Sequence, residues 1–150
     1  MDVDIPEAGF KMHMNDVAAS IGLACLPLAM HAVRRSAENA AFYHDCIAKI
    51  PETEILSVPT GCTPSWWVYG FYSTYADALI EALQNAEIEG SHLWRRNDSY
   101  SCFGAYRTKD GLPGTEYVQA NAVFIPNGWW VSNADRQRIV EVIKGFQTRG

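Results

Sequence analysis

Apolar residues at helical spacing occupy the N-terminal third of the chain. Val17 and Ile21 lie four positions apart, and Asn15 just before them suits a helix N-cap, so this pattern predicts a helix. Pro27 either occupies the first position of a second helix or kinks one long helix. The helical pattern then continues to about Lys49.

Short strands alternate with helices in the rest of the chain. Residues 66–72 are rich in aromatic and β-branched side chains on both faces, which predicts a central strand covered on both sides. Three more short strands are predicted at residues 55–58, 88–93 and 122–125. Three helices are also predicted: one that Thr74 caps, one over residues 115–121, and one that Ser132 caps. Residues 95–114 read as a loop. The pattern predicts an α+β fold, with helices packed on a small antiparallel or mixed sheet.

Composition narrows the class of protein. The chain has 150 residues, 48% of them hydrophobic and 19% charged, which predicts one folded domain and excludes a disordered chain. No uninterrupted apolar run reaches the roughly 18 residues of a membrane span, so we expect no membrane association. A net charge of −5 disfavours nucleic-acid binding. The acidic start has no apolar signal core, which predicts a cytoplasmic protein.

Motifs for common chemistries are missing. The sequence contains no G-x-S-x-G, H-E-x-x-H, Walker A or G-x-G-x-x-G pattern. Its four cysteines are widely spaced without C-x-x-C, so we expect no metal site, and reduced, mostly buried thiols. The adjacent Trp129 and Trp130 are typical either of core and lid packing or of an interface.

One polar cluster precedes the first helix. Lys11 and His13 lie just before a predicted helix N-terminus, where two cations beside free N–H groups would suit a phosphate. The alternative is ordinary capping by Asn15 or Asp16, with Lys11 and His13 in solvent. The sequence leaves both interpretations open.

A second polar cluster lies between residues 91 and 100. Arg95, Arg96 and Asn97 are hydrogen-bond donors beside aromatic residues, a combination that can hold a sugar, a carboxylate or a phosphate. The alternative is a solvated loop with one internal pair, such as Arg96 with Asp98. Here too both interpretations stay open.

Residues 9–23, GFKMHMNDVAASIGL, resemble a segment of a known family. In the DegT/DnrJ/StrS family of pyridoxal-phosphate (PLP) sugar aminotransferases, this segment connects the large domain to the small domain. The pattern is Gly, aromatic, Asn, any residue, Arg and Met, followed by a helix rich in Ala, Gly and Leu. The downstream order is also similar: SWWVY at 65–69, the helix over 77–83, AEIE at 86–89 and the closing helix over 132–143. The resemblance covers roughly residues 7–146.

The resemblance implies the small C-terminal domain of the aspartate-aminotransferase fold, the type I fold of PLP enzymes. Residues 1–14 would then be the segment that connects it to a large domain, and residues 15–150 the small domain. Family members carry PLP on a lysine of the large domain, which nothing in this chain resembles, so the resemblance implies no catalytic residue here.

The resemblance also implies site residues. Lys11 stands where the family has the Asn that reaches the PLP phosphate of the partner subunit in a dimer, and His13 replaces the Arg. The loop after residues 86–89 borders the substrate in the family, which makes His92, Arg95, Arg96 and Asn97 the expected substrate-binding residues. Their individual roles stay unassigned.

The implied activity belongs to a complete enzyme. It would transfer an amino group from Glu or Gln to a keto sugar linked to a nucleotide, while this chain alone would be inactive and bind no PLP. Its expected partner is a second copy in a homodimer or a separately encoded large domain. The alternative function is a non-catalytic dimerisation or binding module. A third possibility is a nonfunctional remnant or an incompletely sequenced gene.

Overall fold

A computed structural model describes residues 13–93 and 96–147 and forms two compact units, divided between Met30 and His31. Helix α1, Asp16–Ile47, is continuous through Pro27, so the interpretation of two separate helices is wrong. Proline removes one backbone donor, but the alanine, leucine and methionine residues around it are strong helix formers. The side-chain oxygen of Asn15 accepts the Ala18 N–H at 2.8 Å, as predicted for the cap.

The described part of the first unit, residues 13–30, is apolar on every side of its helix. Seven large apolar side chains there are each between 51% and 72% exposed. They are Met14, Val17, Ile21, Leu23, Leu26, Leu28 and Met30. A helix that is hydrophobic all round is normally buried against protein or lipid. This segment therefore has the composition of a buried helix without a covering surface of its own.

Helix α1 also meets the length and composition of a membrane span, with a mean hydropathy of 1.6 over an 18-residue window. The search for uninterrupted apolar runs did not predict such a helix, because Pro27 was taken to break the run, whereas α1 continues through it. This is weak evidence for a membrane, since an apolar helix buried by a neighbouring domain meets the same criteria.

The prediction of buried thiols is wrong for two cysteines. Cys25 is exposed on α1 and Cys62 is exposed in a loop, whereas Cys46 is half-buried.

The second unit contains a three-stranded antiparallel sheet. Its strands are β1 (Thr53–Ile55), β2 (Tyr69–Ser73) and β3 (Ala122–Ile125), in the order β1-β2-β3. Phe71 of β2 pairs with Ile55 on one side and Val123 on the other, which confirms that this strand is central. Its predicted start at residue 66 is wrong, because Trp66 has a left-handed φ of 54° and the strand begins at Tyr69.

The strand predicted at 88–93 is reduced to a single bridge between Ser91 and Phe124. Glu87 directly precedes this stretch and Leu93 is its last residue. Their φ angles are positive, at 56° and 67°. Left-handed backbone cannot continue a strand ladder. The chain therefore crosses the edge of β3 once and then turns away.

Three helices follow α1: α2 (Ala76–Asn85), α3 (Pro113–Asn121) and α4 (Asn133–Gln147). The predicted loop also contains 3₁₀ turns at Asn97–Ser99 and Ser101–Tyr106. Thr74 does not cap α2, because its hydroxyl donates to the carboxylate of Glu52 at 2.8 Å. Ser132 does cap α4: its hydroxyl oxygen accepts the N–H of Asp135 at 3.1 Å. In return, the hydrogen bonds from Ser132 lower the pKa of the Asp135 carboxyl.

The core of the second unit lies between the helices and the sheet. Its fully buried side chains come from α1, β2, α2, β3 and α4. Tyr43, Ile47, Phe71, Leu79, Leu83 and Ile143 are all completely inaccessible to solvent. This arrangement confirms the predicted α+β class with an antiparallel sheet.

Candidate functional site

The predicted substrate loop forms one wall of a cavity of about 560 Å³, and α3 forms the opposite wall. Its lining residues are His92, Arg96, Asn97, Tyr100, Thr115, Val118, Gln119 and Phe124. Three of the four predicted substrate-binding residues therefore share one cavity. The fourth, Arg95, lies outside the described residues, as does Lys11.

His92 is held between two secondary-structure elements. Its Nδ1 lies 2.9 Å from the carbonyl oxygen of Ala122 at the start of β3, and its Nε2 lies 2.8 Å from a carboxylate oxygen of Asp77 in the first turn of α2. Both partners are hydrogen-bond acceptors. These two contacts fix the imidazole at one end of the cavity.

Arg96 is paired with two carboxylates. Its Nε and Nη2 donate to the two carboxylate oxygens of Asp98 at 2.9 and 2.6 Å, and its Nη1 donates to Glu116 at 3.0 Å. The pair with Asp98 is the one that the sequence offered as the alternative to substrate binding. The hydrogen bond from Arg96 lowers the pKa of the Asp98 carboxyl. Because Glu116 belongs to α3, Arg96 ties the loop to the opposite wall.

Three neutral polar side chains on the cavity wall have no hydrogen-bond partner among the residues described. They are Asn97 on the loop and Thr115 and Gln119 on α3. Thr115 and Gln119 are four positions apart, so they share one helix face with Val118. Neither Thr115 nor Gln119 was among the predicted site residues, and their spacing on a predicted helix was the only signal in the sequence.

His13 lies in the first unit, where it is exposed and precedes the N-terminus of α1 by three residues. The cavity belongs entirely to the second unit. The pairing of Lys11 and His13 around a phosphate stays a prediction.

The sequence model of the DegT/DnrJ/EryC1/StrS aminotransferases matches residues 2–144. The chain belongs to this family. The resemblance seen in residues 7–146 is thereby confirmed. A search of curated protein sequences found no match.

Solved structures, among them a sugar aminotransferase, share the fold. The sugar aminotransferase CalS13 from Micromonospora echinospora is 36% identical over 95% of the chain, with a TM-score of 0.83. AtS13 from Actinomadura melliaura is 35% identical over 95% of the chain, also with a TM-score of 0.83. The aminotransferase TlmJ from Streptoalloteichus hindustanus is 23% identical, with a TM-score of 0.80, and supports the fold alone. The chain spans 38% of the length of CalS13 and of AtS13.

The family implies PLP in complete aminotransferases, so we tested whether residues of this chain fit that cofactor. A Schiff base requires a lysine in a pocket. Lys49, Lys109 and Lys144 are all exposed, and none of them lines the cavity described above or the further cavities of about 510 and 180 Å³. Within residues 13–93 and 96–147, no cluster of three His, Cys, Asp or Glu residues could hold a metal ion. The described residues therefore do not fit a complete PLP site.

Proposed function

We propose that this chain forms the small C-terminal domain of a PLP-dependent nucleotide-sugar aminotransferase. The complete enzyme transfers an amino group from Glu or Gln to a keto sugar that is linked to a nucleotide. PLP supplies the electron sink for this reaction. The observation that carries the proposal is the 36% identity to a sugar aminotransferase across 95% of the chain, together with the family match.

Within this proposal, the two polar clusters have different tasks. Lys11 and His13 bind the phosphate of PLP in a partner subunit. The loop from His92 to Asn97 borders the substrate. The contacts of His92 with Asp77 and of Arg96 with Glu116 support this role, since they hold the loop against the rest of the domain. Arg95 and Asn97 are then the loop residues that contact substrate.

The sharpest test is a chimaera with CalS13. Residues 7–146 replace the matching part of CalS13, and amino transfer from Glu or Gln to nucleotide-linked keto sugars is measured beside unaltered CalS13. We expect the chimaera to bind PLP and to retain transfer activity. A folded, PLP-loaded chimaera that transfers no amino group to any such sugar contradicts the proposal.

The chain alone should be catalytically inactive, because a Schiff base needs a lysine in a pocket. The protein is mixed with PLP and then with borohydride, which fixes any lysine adduct covalently. We expect no stoichiometric adduct by mass spectrometry, whereas the CalS13 chimaera should give one. A stoichiometric adduct on a lysine of the isolated chain, Lys11 included, would show that it forms its own coenzyme site.

A non-catalytic dimerisation or binding module is the second candidate function. It is favoured by the exposed apolar helix of residues 13–30 and, separately, by Trp129 and Trp130, which are 61% and 64% exposed. Sedimentation of the isolated chain tests it. We expect self-association that is lost in Ile21→Glu and retained in the control Ser20→Glu. A wild-type chain that stays monomeric at high concentration argues against this function.

A further inference from the structure

We propose that a groove along α4 binds a basic amphipathic helix of a partner protein. The groove consists of two cavities of about 180 and 510 Å³ that share Arg138 in their walls. Both cavities lie in the second unit, and none of their lining residues belongs to the cavity of the candidate site. The groove is therefore a separate surface, and its occupant goes beyond the proposed amino transfer and does not depend on it.

Helix α4 lines the groove along most of its length. The smaller cavity includes Asp135 in the first turn of α4, and the larger cavity includes Phe146 in its last turn. Between these two residues the helix advances about 16 Å, at the usual rise of roughly 1.5 Å per residue. The end of α2 and residues 87–89 form the other wall. The groove is therefore long enough for about three turns of a partner helix.

Both ends of the groove offer apolar surface. Val142 and Phe146 line the larger cavity beside two alanines at the end of α2. Trp130 lines the smaller cavity, and 64% of this residue is exposed. Asn39 donates to two backbone carbonyls of the turn that carries Trp130, so the backbone under the indole is held in place. Exposed tryptophans on a well-bonded backbone are typical centres of protein interfaces.

The charge of the groove is negative. Its acidic residues are Glu87, Glu89, Asp135 and Glu141. Arg138 is the one cation among the lining residues that the structure describes, and it donates to the carbonyl of Ala86 at 2.5 Å. The three glutamates have no hydrogen-bond or ion-pair partner among residues 13–93 and 96–147. Lysine or arginine side chains of a ligand would complement these carboxylates.

This charge also selects among possible occupants. Nucleic acids and anionic membranes carry the same sign as the glutamates, so they are repelled. A second copy that paired groove to groove would bring identical carboxylates together, and each chain already carries a net charge of −5. A helix with one basic and one apolar face supplies both the cations and the apolar contacts that the groove lacks. Such a helix is therefore the occupant that fits its length, surface and charge.

A synthetic helix tests the proposal on the full 150-residue chain. The probe is the peptide KLLKKLLKKLLK, and the control peptide carries glutamate in place of every lysine. Calorimetry gives the Kd, and ¹H–¹⁵N spectra follow the indole N–H of Trp130, which Trp130→Phe assigns. At about 150 mM salt we expect the lysine peptide to bind with a Kd of about 10–100 μM and to shift the Trp130 resonance. The glutamate peptide should bind at least about tenfold more weakly.

Two matched double variants locate the bound peptide. Glu89→Gln with Glu141→Gln removes two carboxylates of the groove, and Glu54→Gln with Glu81→Gln removes two exposed carboxylates that do not line it. We expect the groove variant to weaken binding about fivefold to twentyfold and the control variant less than about twofold. Equal losses in the two variants, an unshifted Trp130 resonance, equal affinity for the two peptides or no binding of the lysine peptide overturns the proposal.

Discussion

Two neighbouring buried tyrosines differ in whether their hydroxyl groups have a partner. The rings of Tyr43 and Tyr69 lie 5.3 Å apart, and both residues are at most 1% exposed. The hydroxyl of Tyr43 donates to the carbonyl of Pro126 at 3.1 Å. The hydroxyl of Tyr69 has no hydrogen-bond partner among the described residues. The same substitution to phenylalanine should therefore lower the stability at Tyr43 and not at Tyr69.

Tyr43→Phe removes one hydrogen bond and leaves the carbonyl of Pro126 without this donor. The free energy of unfolding should fall by about 1–2 kcal/mol, and Tm by roughly 3–6 °C. Tyr69→Phe removes a buried hydroxyl that has no hydrogen-bond partner in the part of the chain that the structure describes. It should leave stability unchanged or raise it by up to about 1 kcal/mol.

Urea unfolding followed by far-UV circular dichroism measures both variants against the wild-type chain. Because the two substitutions remove the same atom from adjacent sites, each variant is the control for the other. Equal destabilisation would show that Tyr69 has a hydrogen-bond partner that the structure does not contain, and it would refute the reasoning. No effect at Tyr43 would mean that its contact with Pro126 contributes nothing.

Two further predictions concern pH and packing. Burial raises the pKa of Tyr43 above its usual range and that of Tyr69 to about 12, while the unfolded residues titrate near 10. The folded state therefore holds these protons more tightly, so the free energy of unfolding should fall as pH rises from about 10 towards 12, and less so in the double phenylalanine variant. In Gly128→Ala the new methyl group would clash with the ring of Trp130. Because this exposed ring can move, we expect little loss of stability but a changed exciton signal from its pair with Trp129; an unaltered circular dichroism spectrum would contradict the contact.

Buried asparagine side chains bond to the backbone of the turn that carries Trp129 and Trp130, and hold it against the domain. Asn39 on α1 donates to the carbonyls of Gly128 and Val131 at 3.1 and 3.4 Å, and Asn127 donates to Ser36 and Trp66. Both asparagines are at most 1% exposed to solvent. The sequence left core packing and interface formation open for Trp129 and Trp130. Their exposure above a firmly bonded turn favours an interface.

The sequence predicted correctly those helices and strands whose local signals, such as a hydrophobic pattern or a cap, are not overridden by distant contacts. Residues 122–125 form the predicted strand, and the Ser132 cap starts α4. The failures occur where a distant contact or a backbone angle decides the outcome. Thr74 bonds to Glu52, which is 22 positions away, instead of capping α2. Glu87 adopts a left-handed conformation that no hydrophobic pattern reveals.

The candidate site shows the same limit in its chemistry. A sequence that contains adjacent arginines predicts donors, but it does not say which acceptors they meet. From the sequence alone, Arg96 could bind an anionic substrate. In the fold its guanidinium instead donates to Asp98 and to Glu116, which is 20 positions away. His92 likewise meets Asp77 from 15 positions upstream. The contacts of both side chains are therefore decided by acidic residues that the fold brings from distant positions in the sequence.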